Sequence, residues 1–282
     1  MQILKDGFGY LEGARWYDGS LWFSDIKEKT VYRMSEDGEI EHRWRVAARP
    51  SGLGFSPAGD LLVVSMEDSR LLKISREDST MIADLSDIAI HPNDMAVDRA
   101  GRAYISQFGF DLFGGGAPAT CGVLVVEADG ETRIQGSDLT FPNGLAITAN
   151  GKQLVVAESF GGRLSVFDIH DNGDLGPRRD FAVFGDPAAD VPDGLCLDAN
   201  DAVWVGCPFA GEFRHINSNG EIIDRVIPKG DGTYCVACAL GGADGRTLFM
   251  LVADTDVDRL ANDWDSSAWV ATTRVETPGI YQ

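Results

Sequence analysis

The heptapeptide FPNGLAI, at residues 141–147, recurs in altered form elsewhere in the chain. HPNDMAV occupies residues 91–97 and VPDGLCL occupies residues 191–197. Each version has a proline, an amide or acid, a turn residue and then a short apolar run typical of a β-strand. An internal repeat changes the interpretation of the whole chain, so this phrase decides the fold.

Six copies of the phrase follow one another along the sequence: LEGARW (11–16), PSGLGF (50–55), PNDMAV (92–97), PNGLAI (142–147), PDGLCL (192–197) and CVACAL (235–240). A turn and a second strand rich in β-branched and aromatic residues follow each copy, which indicates a hairpin. A further hairpin follows five of the copies, so each unit supplies about four strands, and a repeat of roughly 40–50 residues is typical of a propeller blade. The sequence therefore predicts an all-β fold, a six-bladed β-propeller that occupies residues 1–282 as a single domain.

Other architectures agree less well with this pattern. No segment keeps a period of 3.6 residues, which argues against a helical solenoid or an α/β fold. A β-sandwich would use similar short strands but would not need six copies of one phrase. Three segments are predicted to be loops: 113–120, 186–192 and 254–267.

Composition limits the function classes. The chain of 282 residues has 44 acidic and 24 basic side chains, a net charge of −20. This charge repels nucleic acid and anionic membranes, and it suits either a cationic partner or plain solubility. The first residues lack the features of a signal peptide, and no run approaches the roughly 20 apolar residues of a membrane span. We therefore expect a soluble, cytoplasmic protein with no nucleic-acid or membrane partner; the oligomeric state stays open.

The five cysteines are an odd number, which favours reduced thiols over a disulfide framework. Cys235 and Cys238 have the spacing of a metal or redox pair. However, they lie in CVACALGG, which predicts a buried strand whose residues i and i+3 face opposite sides. We interpret both as core residues.

The innermost strand of each blade lines the axis of a propeller, so equivalent positions of the six copies should form one ring. The ring positions are Glu12, Ser51, Asn93, Asn143, Asp193 and Val236. Four of them carry carboxylate or amide oxygens, and none supplies sulfur or imidazole, which favours a hard cation such as calcium over zinc. Two carboxylates near the axis would also repel each other and raise at least one pKa. An alternative stays open, because Asn, Asp and Ser before glycine often cap turns; Glu12, a poor turn former in the same register, is harder to explain that way.

Several of these motifs, in this order, resemble the senescence-marker-protein, regucalcin and gluconolactonase family: EGARW (12–16), ND…VD (93–98), FPNGLAI…LVVAES (141–159), PDGLCLD (192–198) and ALGGADGRTLFM (239–250). The resemblance covers essentially the whole chain. It implies a six-bladed propeller with one divalent cation at the channel mouth, commonly calcium, although zinc, manganese or magnesium are possible.

The resemblance also implies residue roles. Glu12, Asn143 and Asp193 match the metal ligands of the family, and Asp193 matches the carboxylate that activates water. Asn93 matches a residue that contacts substrate or water beside the metal. His91 stands where some sugar-lactone members carry an arginine, so we regard it as a second candidate substrate-binding residue; the alternative is a loop histidine with no catalytic role.

These residues predict a calcium-dependent lactonase that acts on a sugar lactone, such as gluconolactone, or on a related cyclic ester. A cation can polarise the lactone carbonyl while Asp193 takes a proton from water. One alternative is a calcium- or ligand-binding propeller without turnover, and another is a hydrolase of a different electrophile such as an organophosphate. A serine hydrolase is disfavoured because the sequence has no G-x-S-x-G motif. The aromatic residues near the predicted mouth could form pocket walls or pack the blades: Trp16, Phe108, Phe110, Phe160 and Phe209.

Overall fold

The computed structural model describes residues 1–75, 78–112, 114–186, 189–228 and 233–280. These residues form six sheets of four strands each, which confirms the predicted six-bladed β-propeller. Neighbouring strands within the sheets are antiparallel. Within this part of the chain, no helix is long and apolar enough to cross a membrane. The cytoplasmic location and the single-domain organisation stay predictions.

The chain begins with β1 (Gln2–Phe8). The first three blades are formed by β2 (Leu11–Tyr17), β3 (Ser20–Asp25), β4 (Thr30–Met34) and β5 (Ile40–Arg45); by β6 (Pro50–Phe55), β7 (Leu61–Ser65), β8 (Arg70–Ile74) and β9 (Ser79–Asp84); and by β10 (Pro92–Val97), β11 (Ala103–Gln107), β12 (Thr120–Val126) and β13 (Thr132–Thr140).

The remaining blades are formed by β14 (Pro142–Ile147), β15 (Gln153–Glu158), β16 (Arg163–Asp168) and β17 (Arg179–Val183); by β18 (Leu195–Leu197), β19 (Val203–Cys207), β20 (Glu212–Ile216) and β21 (Ile222–Val226); and by β22 (Thr233–Gly241), β23 (Thr247–Asp254), β24 (Ser267–Arg274) and the early strand β1. The innermost strands are therefore β2, β6, β10, β14, β18 and β22, the strands that carry the six copies of the repeated phrase.

The repeated phrase has a physical reason. In five of the inner strands the pairing register is interrupted at the start of the phrase, for example between Pro92 and Met95 and between Pro142 and Leu145. Such an irregularity can re-aim a side chain that would otherwise follow the regular alternation. The glycine that follows is required by space: a Cβ at Gly144 would lie only 2.4 Å from the backbone oxygen of Asp193 in the next blade.

Both ends of the chain complete the sixth blade. β24 is its third strand, and β1 pairs with β24 as its outermost strand, from Gln2 opposite Thr272 to Phe8 opposite Ala268. The sequence alone left open which of the two terminal segments closes the ring, and the structure uses both. The final segment then crosses to the fifth blade, where Gly279 bridges to Asp198.

The core lies mainly between neighbouring blades. One buried cluster joins blades four and five and includes Leu164, Leu195 and Val205, and comparable clusters lie at the other blade interfaces. Cys235 and Cys238 are both buried in β22, as expected for core residues. Burial raises the pKa of both thiols, which keeps them protonated and unreactive.

The loop predictions were partly wrong. The segment 254–267 contains a short helix, α1 (Val257–Ala261), because the side chain of Asp256 accepts a hydrogen bond from the backbone N–H of Arg259 at 2.8 Å and caps its first turn. Five residues are too few to show a helical period in the sequence. The described residues of 114–119 and 186–192 contain no strand, as expected, but Thr120, the last residue of the predicted loop 113–120, already begins β12; Phe113 and residues 187–188 lie outside the described part of the chain.

Candidate functional site

Four of the predicted ring residues are buried together at one end of the central channel. Glu12, Asn93, Asn143 and Asp193 are all less than 10% exposed, and all four line the same cavity. Each comes from a different blade and from the phrase that begins its innermost strand. The structure thus brings together the residues that were predicted to hold a metal and a substrate.

A chain of hydrogen bonds fixes the two amides. Asn93 accepts a hydrogen bond at Oδ1 from the hydroxyl of Ser51 at 2.6 Å and donates through Nδ2 to Oδ1 of Asn143 at 2.8 Å. Asn143 in turn donates to Oγ of Ser159 at 3.2 Å, and Ser159 donates to the carbonyl of Pro192 at 2.8 Å. An amide oxygen has two lone pairs, so Oδ1 of Asn143 can accept this bond and still coordinate a cation.

The two carboxylates are much less well satisfied. Glu12 accepts a 3.3 Å hydrogen bond from the backbone N–H of Gly13. Oδ1 of Asp193 is buried and has no hydrogen-bond partner among the described residues. A buried carboxylate oxygen without a partner is costly, and in a native protein it calls for an explanation such as a bound ion.

Both carboxyl groups are difficult to ionise in the absence of a cation. Burial raises the pKa of Asp193 well above its usual range, and the nearby charge of Asp94 raises it further, while Asn143 opposes the shift. Burial also raises the pKa of Glu12, followed by the charges of Asp193 and Asp94. A bound divalent cation would reverse this balance, because it favours the charged forms of both groups.

Asp94 lies beneath the ring and was missed by the sequence reasoning. Its Oδ1 is 2.7 Å from Nη2 of Arg15, and the same arginine donates to the carbonyl of Met95. A signal for it exists in the sequence: Asp94 occupies the position that is glycine in the copies of β2, β6, β14 and β18. A charged residue at a position otherwise kept small indicates a specific role, here a third acid beside the ring that is already paired with Arg15.

The donor set fits one hard cation. Among the described residues there is no cluster of three or more His, Cys, Asp and Glu side chains placed to hold a metal. A cation at the ring would therefore combine two carboxylates, Glu12 and Asp193, with amide oxygen from Asn143. All-oxygen ligation of this type is preferred by calcium, which tolerates irregular geometry and bound water. Oδ1 of Asp193, which has no hydrogen-bond partner among the described residues, is the oxygen most directly available to such a cation.

A cavity of about 250 Å³ stands above the ring, and its walls are largely aromatic and aliphatic. On one side the rings of Phe108 and Phe141 stack at 4.3 Å, and Phe160 follows at 4.7 Å from Phe141. On the other side Trp264, which follows α1, packs against Tyr10 at 5.1 Å. The ring of polar residues is thus the floor of an apolar pocket.

The aromatic residues singled out from the sequence divide between wall and packing. Phe108, Phe160 and Phe209 line the cavity. Phe110 packs behind the wall, with its ring 5.8 Å from that of Phe141. Trp16 stacks on Phe249 at 5.0 Å and lines a pocket that also includes Ile280 and contains none of the four ring residues above.

His91 is not brought to the floor. It has a left-handed backbone (φ 52°), its Nε2 lies 3.3 Å from Oδ1 of Asp111, and its ring is 5.6 Å from that of Phe108. His91 is not among the described residues that line the cavity, although Phe108 is. A contact between His91 and a substrate would therefore be made at the rim.

Comparison with known proteins points to one family. A family model described as the SMP-30/gluconolactonase/LRE-like region matches residues 11–254. A 6-deoxy-6-sulfogluconolactonase from Pseudomonas putida is 23% identical over 265 residues, covering 92% of this chain and 88% of the relative.

Solved structures show the same fold. A gluconolactonase from Xanthomonas campestris aligns with a TM-score of 0.74 at 22% identity, covering 96% of this chain and 89% of the other. A calcium-binding protein, regucalcin, from Agrobacterium tumefaciens aligns with a TM-score of 0.77 at 17% identity, covering 100% and 97%.

Proposed function

Because this chain belongs to the SMP-30/gluconolactonase/LRE-like family, we propose that it is a lactonase, a hydrolase that opens a cyclic ester with the help of one divalent cation. The observation that carries this proposal is the buried, partnerless Oδ1 of Asp193 beside Glu12 on the cavity floor. A structural carboxylate would be paired at such a position. A carboxylate kept for a cation and a water molecule would not.

Glu12, Asn143 and Asp193 would hold the cation, and their all-oxygen chemistry favours calcium over zinc, manganese or magnesium. A bound divalent cation would polarise the lactone carbonyl and stabilise the negative charge that develops on its oxygen. The hydrogen bonds from Ser51 to Asn93 and from Asn93 to Asn143 keep both amides in fixed orientations. Asn93 would then orient the substrate above the floor.

Asp193 would act as the general base. Its carboxylate would take a proton from water as the water oxygen bonds to the lactone carbonyl carbon. The ring C–O bond then breaks, and the same carboxyl group returns the proton to the leaving alkoxide oxygen to give a hydroxy acid. Few other groups are needed, because the leaving alkoxide stays tethered to the product and a strained ester is already reactive. His91 would contact only the outer part of a substrate, at the rim.

The test is lactone hydrolysis followed with a pH indicator, on protein stripped with chelator and then supplied with one divalent metal at a time. We expect turnover only with metal, highest with calcium, and its loss in Asp193→Ala. The matched control is Asp171→Ala, which removes a side chain that is 98% exposed and should change nothing. Metal-independent turnover, or full activity in Asp193→Ala, would refute the proposal.

A second candidate is a calcium- or ligand-binding propeller without turnover. One observation favours it: the described residues that line the cavity include no lysine, arginine or histidine that could protonate a leaving group. Tight calcium binding together with no hydrolysis of any lactone would support this candidate. Including an organophosphate ester in the same panel tests the remaining alternative, a hydrolase of another electrophile.

A further inference from the structure

The walls of the cavity offer little to a polyhydroxylated substrate. Twelve of its described lining residues have side chains with no nitrogen or oxygen, among them Phe108, Phe141, Phe160 and Leu260. A sugar hydroxyl that loses water against such a wall, without a replacement hydrogen bond, is destabilised. An aromatic or alkyl group in the same place is stabilised instead, because it removes apolar surface from water.

The polar groups of the floor are already occupied with one another. The Asn93 amide bonds to Ser51 and Asn143, the Asn143 amide donates to Ser159, and the Ser159 hydroxyl donates to a backbone carbonyl. Among the other described lining residues, side-chain donors are carried by Tyr10, Tyr234 and Trp264, which are fewer than the hydroxyls of glucono-1,5-lactone. The carboxylates of Glu12 and Asp193 are committed to the cation under the proposed function.

Apolar side chains also continue to the rim and into solvent. Phe160 is 38% exposed, Phe209 is 45% exposed and Val257 is 56% exposed, and all three line the cavity. Large apolar side chains gathered around an opening mark a binding site more often than isolated ones do. A substrate with an apolar group would cover part of this surface as it enters.

The charge of the cavity excludes a third class of substrate. Its described lining residues contain two carboxylates and no basic side chain, so a bound dication leaves no positive charge to hold a phosphate, sulfonate or carboxylate. The nearby cation Arg15 is paired with Asp94 at 2.7 Å and lies outside this lining. An anionic lactone would be repelled by Glu12 and Asp193 and would find no partner.

From these observations, and resting on the proposed lactonase function, we infer that the preferred substrate is a neutral lactone that carries an aromatic or alkyl group. The lactone carbonyl would lie over Asp193 and Asn143. The apolar group would lie against the wall formed by Phe108, Phe141 and Phe160. Sugar lactones would be poor substrates and anionic lactones the poorest.

The experiment compares three six-membered lactones on the calcium-loaded full chain. Each kcat/KM is divided by the rate constant for hydrolysis of that lactone by hydroxide, because the phenolate of 3,4-dihydrocoumarin is a better leaving group than an alkoxide. The substrates are 3,4-dihydrocoumarin, glucono-1,5-lactone and glucono-1,5-lactone 6-phosphate. We expect the normalised kcat/KM to fall in that order, by at least about tenfold at the first step, the scale on which an apolar pocket discriminates. A higher normalised kcat/KM for glucono-1,5-lactone than for dihydrocoumarin would overturn the inference and leave the proposed function standing. No turnover of any of the three would overturn both.

A wall variant tests whether these side chains set the preference. Phe160→Ala should lower the ratio of kcat/KM for dihydrocoumarin to that for glucono-1,5-lactone by about tenfold, and Phe160→Leu, which restores an apolar side chain, should recover most of it. The control is Val183→Ala, in the same blade, which removes an exposed apolar side chain in β17 away from the cavity. An unchanged ratio in Phe160→Ala, with folding verified by circular dichroism, would contradict the inference.

Discussion

Glu158 and Asp193 are both buried carboxylates at the inner part of the propeller, but their surroundings differ sharply. Glu158 is bound by Arg163 through Nε at 2.8 Å and Nη2 at 3.0 Å, and it also accepts hydrogen bonds from Ser165 and from the backbone of Thr140. Asp193 has no cationic partner and one oxygen without any hydrogen bond in the described structure.

The difference shows how this fold satisfies a buried carboxylate that has a structural role. Asp198 provides another example, since it accepts two backbone N–H groups and lies 3.0 Å from Nε2 of His215. Glu158 and Asp198 are thus compensated in full, whereas Asp193, which lies beside Glu12 in the ring, keeps a buried oxygen without a partner in the described structure. A function is the simplest reason to tolerate it there.

The largest expected effect is the loss of activity when Asp193, the carboxylate without a partner, is replaced. Asp193→Asn keeps the shape of the side chain but removes the base and one anionic ligand, so kcat/KM for lactone opening should fall by about 100- to 10,000-fold. Steady-state kinetics with calcium in excess would measure it. An effect below tenfold would mean that Asp193 is not the base.

For Glu158, the carboxylate that is paired with Arg163, the expected effect is on stability. Glu158→Gln leaves Arg163 without its carboxylate in a largely buried network, and the free energy of unfolding should fall by about 3 kcal/mol or more. Urea denaturation would measure the loss. If the variant matched the unchanged protein, Glu158 would not be the structural anchor that its contacts indicate.

The metal-free protein should also show an unusual pH dependence. Because the pKa values of Glu12 and Asp193 are raised by folding, the folded state binds more protons than the unfolded state above the ordinary carboxyl range. The contribution of these groups to stability is therefore highest below about pH 4 and declines as the pH rises towards their folded pKa values.

Two comparisons isolate that contribution. Asp193→Asn should make the metal-free protein more stable at pH 7, by roughly 1–3 kcal/mol, and should flatten its pH dependence; calcium should flatten it in the unchanged protein. Thermal melts in chelator and in calcium between pH 5 and pH 8 would measure both. A metal-free protein that Asp193→Asn destabilises would show that the site is not under electrostatic stress.

The smallest effect should come from an exposed pair. Arg274 forms an ion pair with Asp244, and the two side chains are 58% and 52% exposed. Solvent screens such pairs, so Arg274→Gln should leave the midpoint of urea denaturation unchanged within error. A clear loss of stability would mean that an exposed ion pair contributes as much as a buried one. The difference in surroundings between Glu158 and Asp193 would then say nothing about their roles.

The architecture and the ring could be predicted because one phrase repeats in register, and inner strands place equivalent residues at equivalent depth. Asp94 was not predicted as a site residue because it lies one residue after the ring position, where four of the other copies carry glycine. The pairing of β1 with β24 could not be predicted, since nothing in Gln2–Phe8 specifies a partner more than 250 residues away. The sequence named Phe108 and Phe160 as possible wall residues but could not separate pocket wall from blade packing, and it did not single out Phe141, because these side chains reach the mouth from separate turns and their contacts depend on how neighbouring blades are placed.

The closure by β1 also has a consequence for how the protein is made. After its synthesis β1 has to wait for β24, more than 250 residues later in the chain, whereas the strands of the first five blades pair with close neighbours in the chain. During synthesis Gln2–Phe8 is therefore an unpaired strand, and after release the outer edge of the sixth blade stays open until the two ends meet. A bulky tag fused close to Gln2 would slow the pairing of β1 with β24, and the chain would be most prone to aggregation before that pairing.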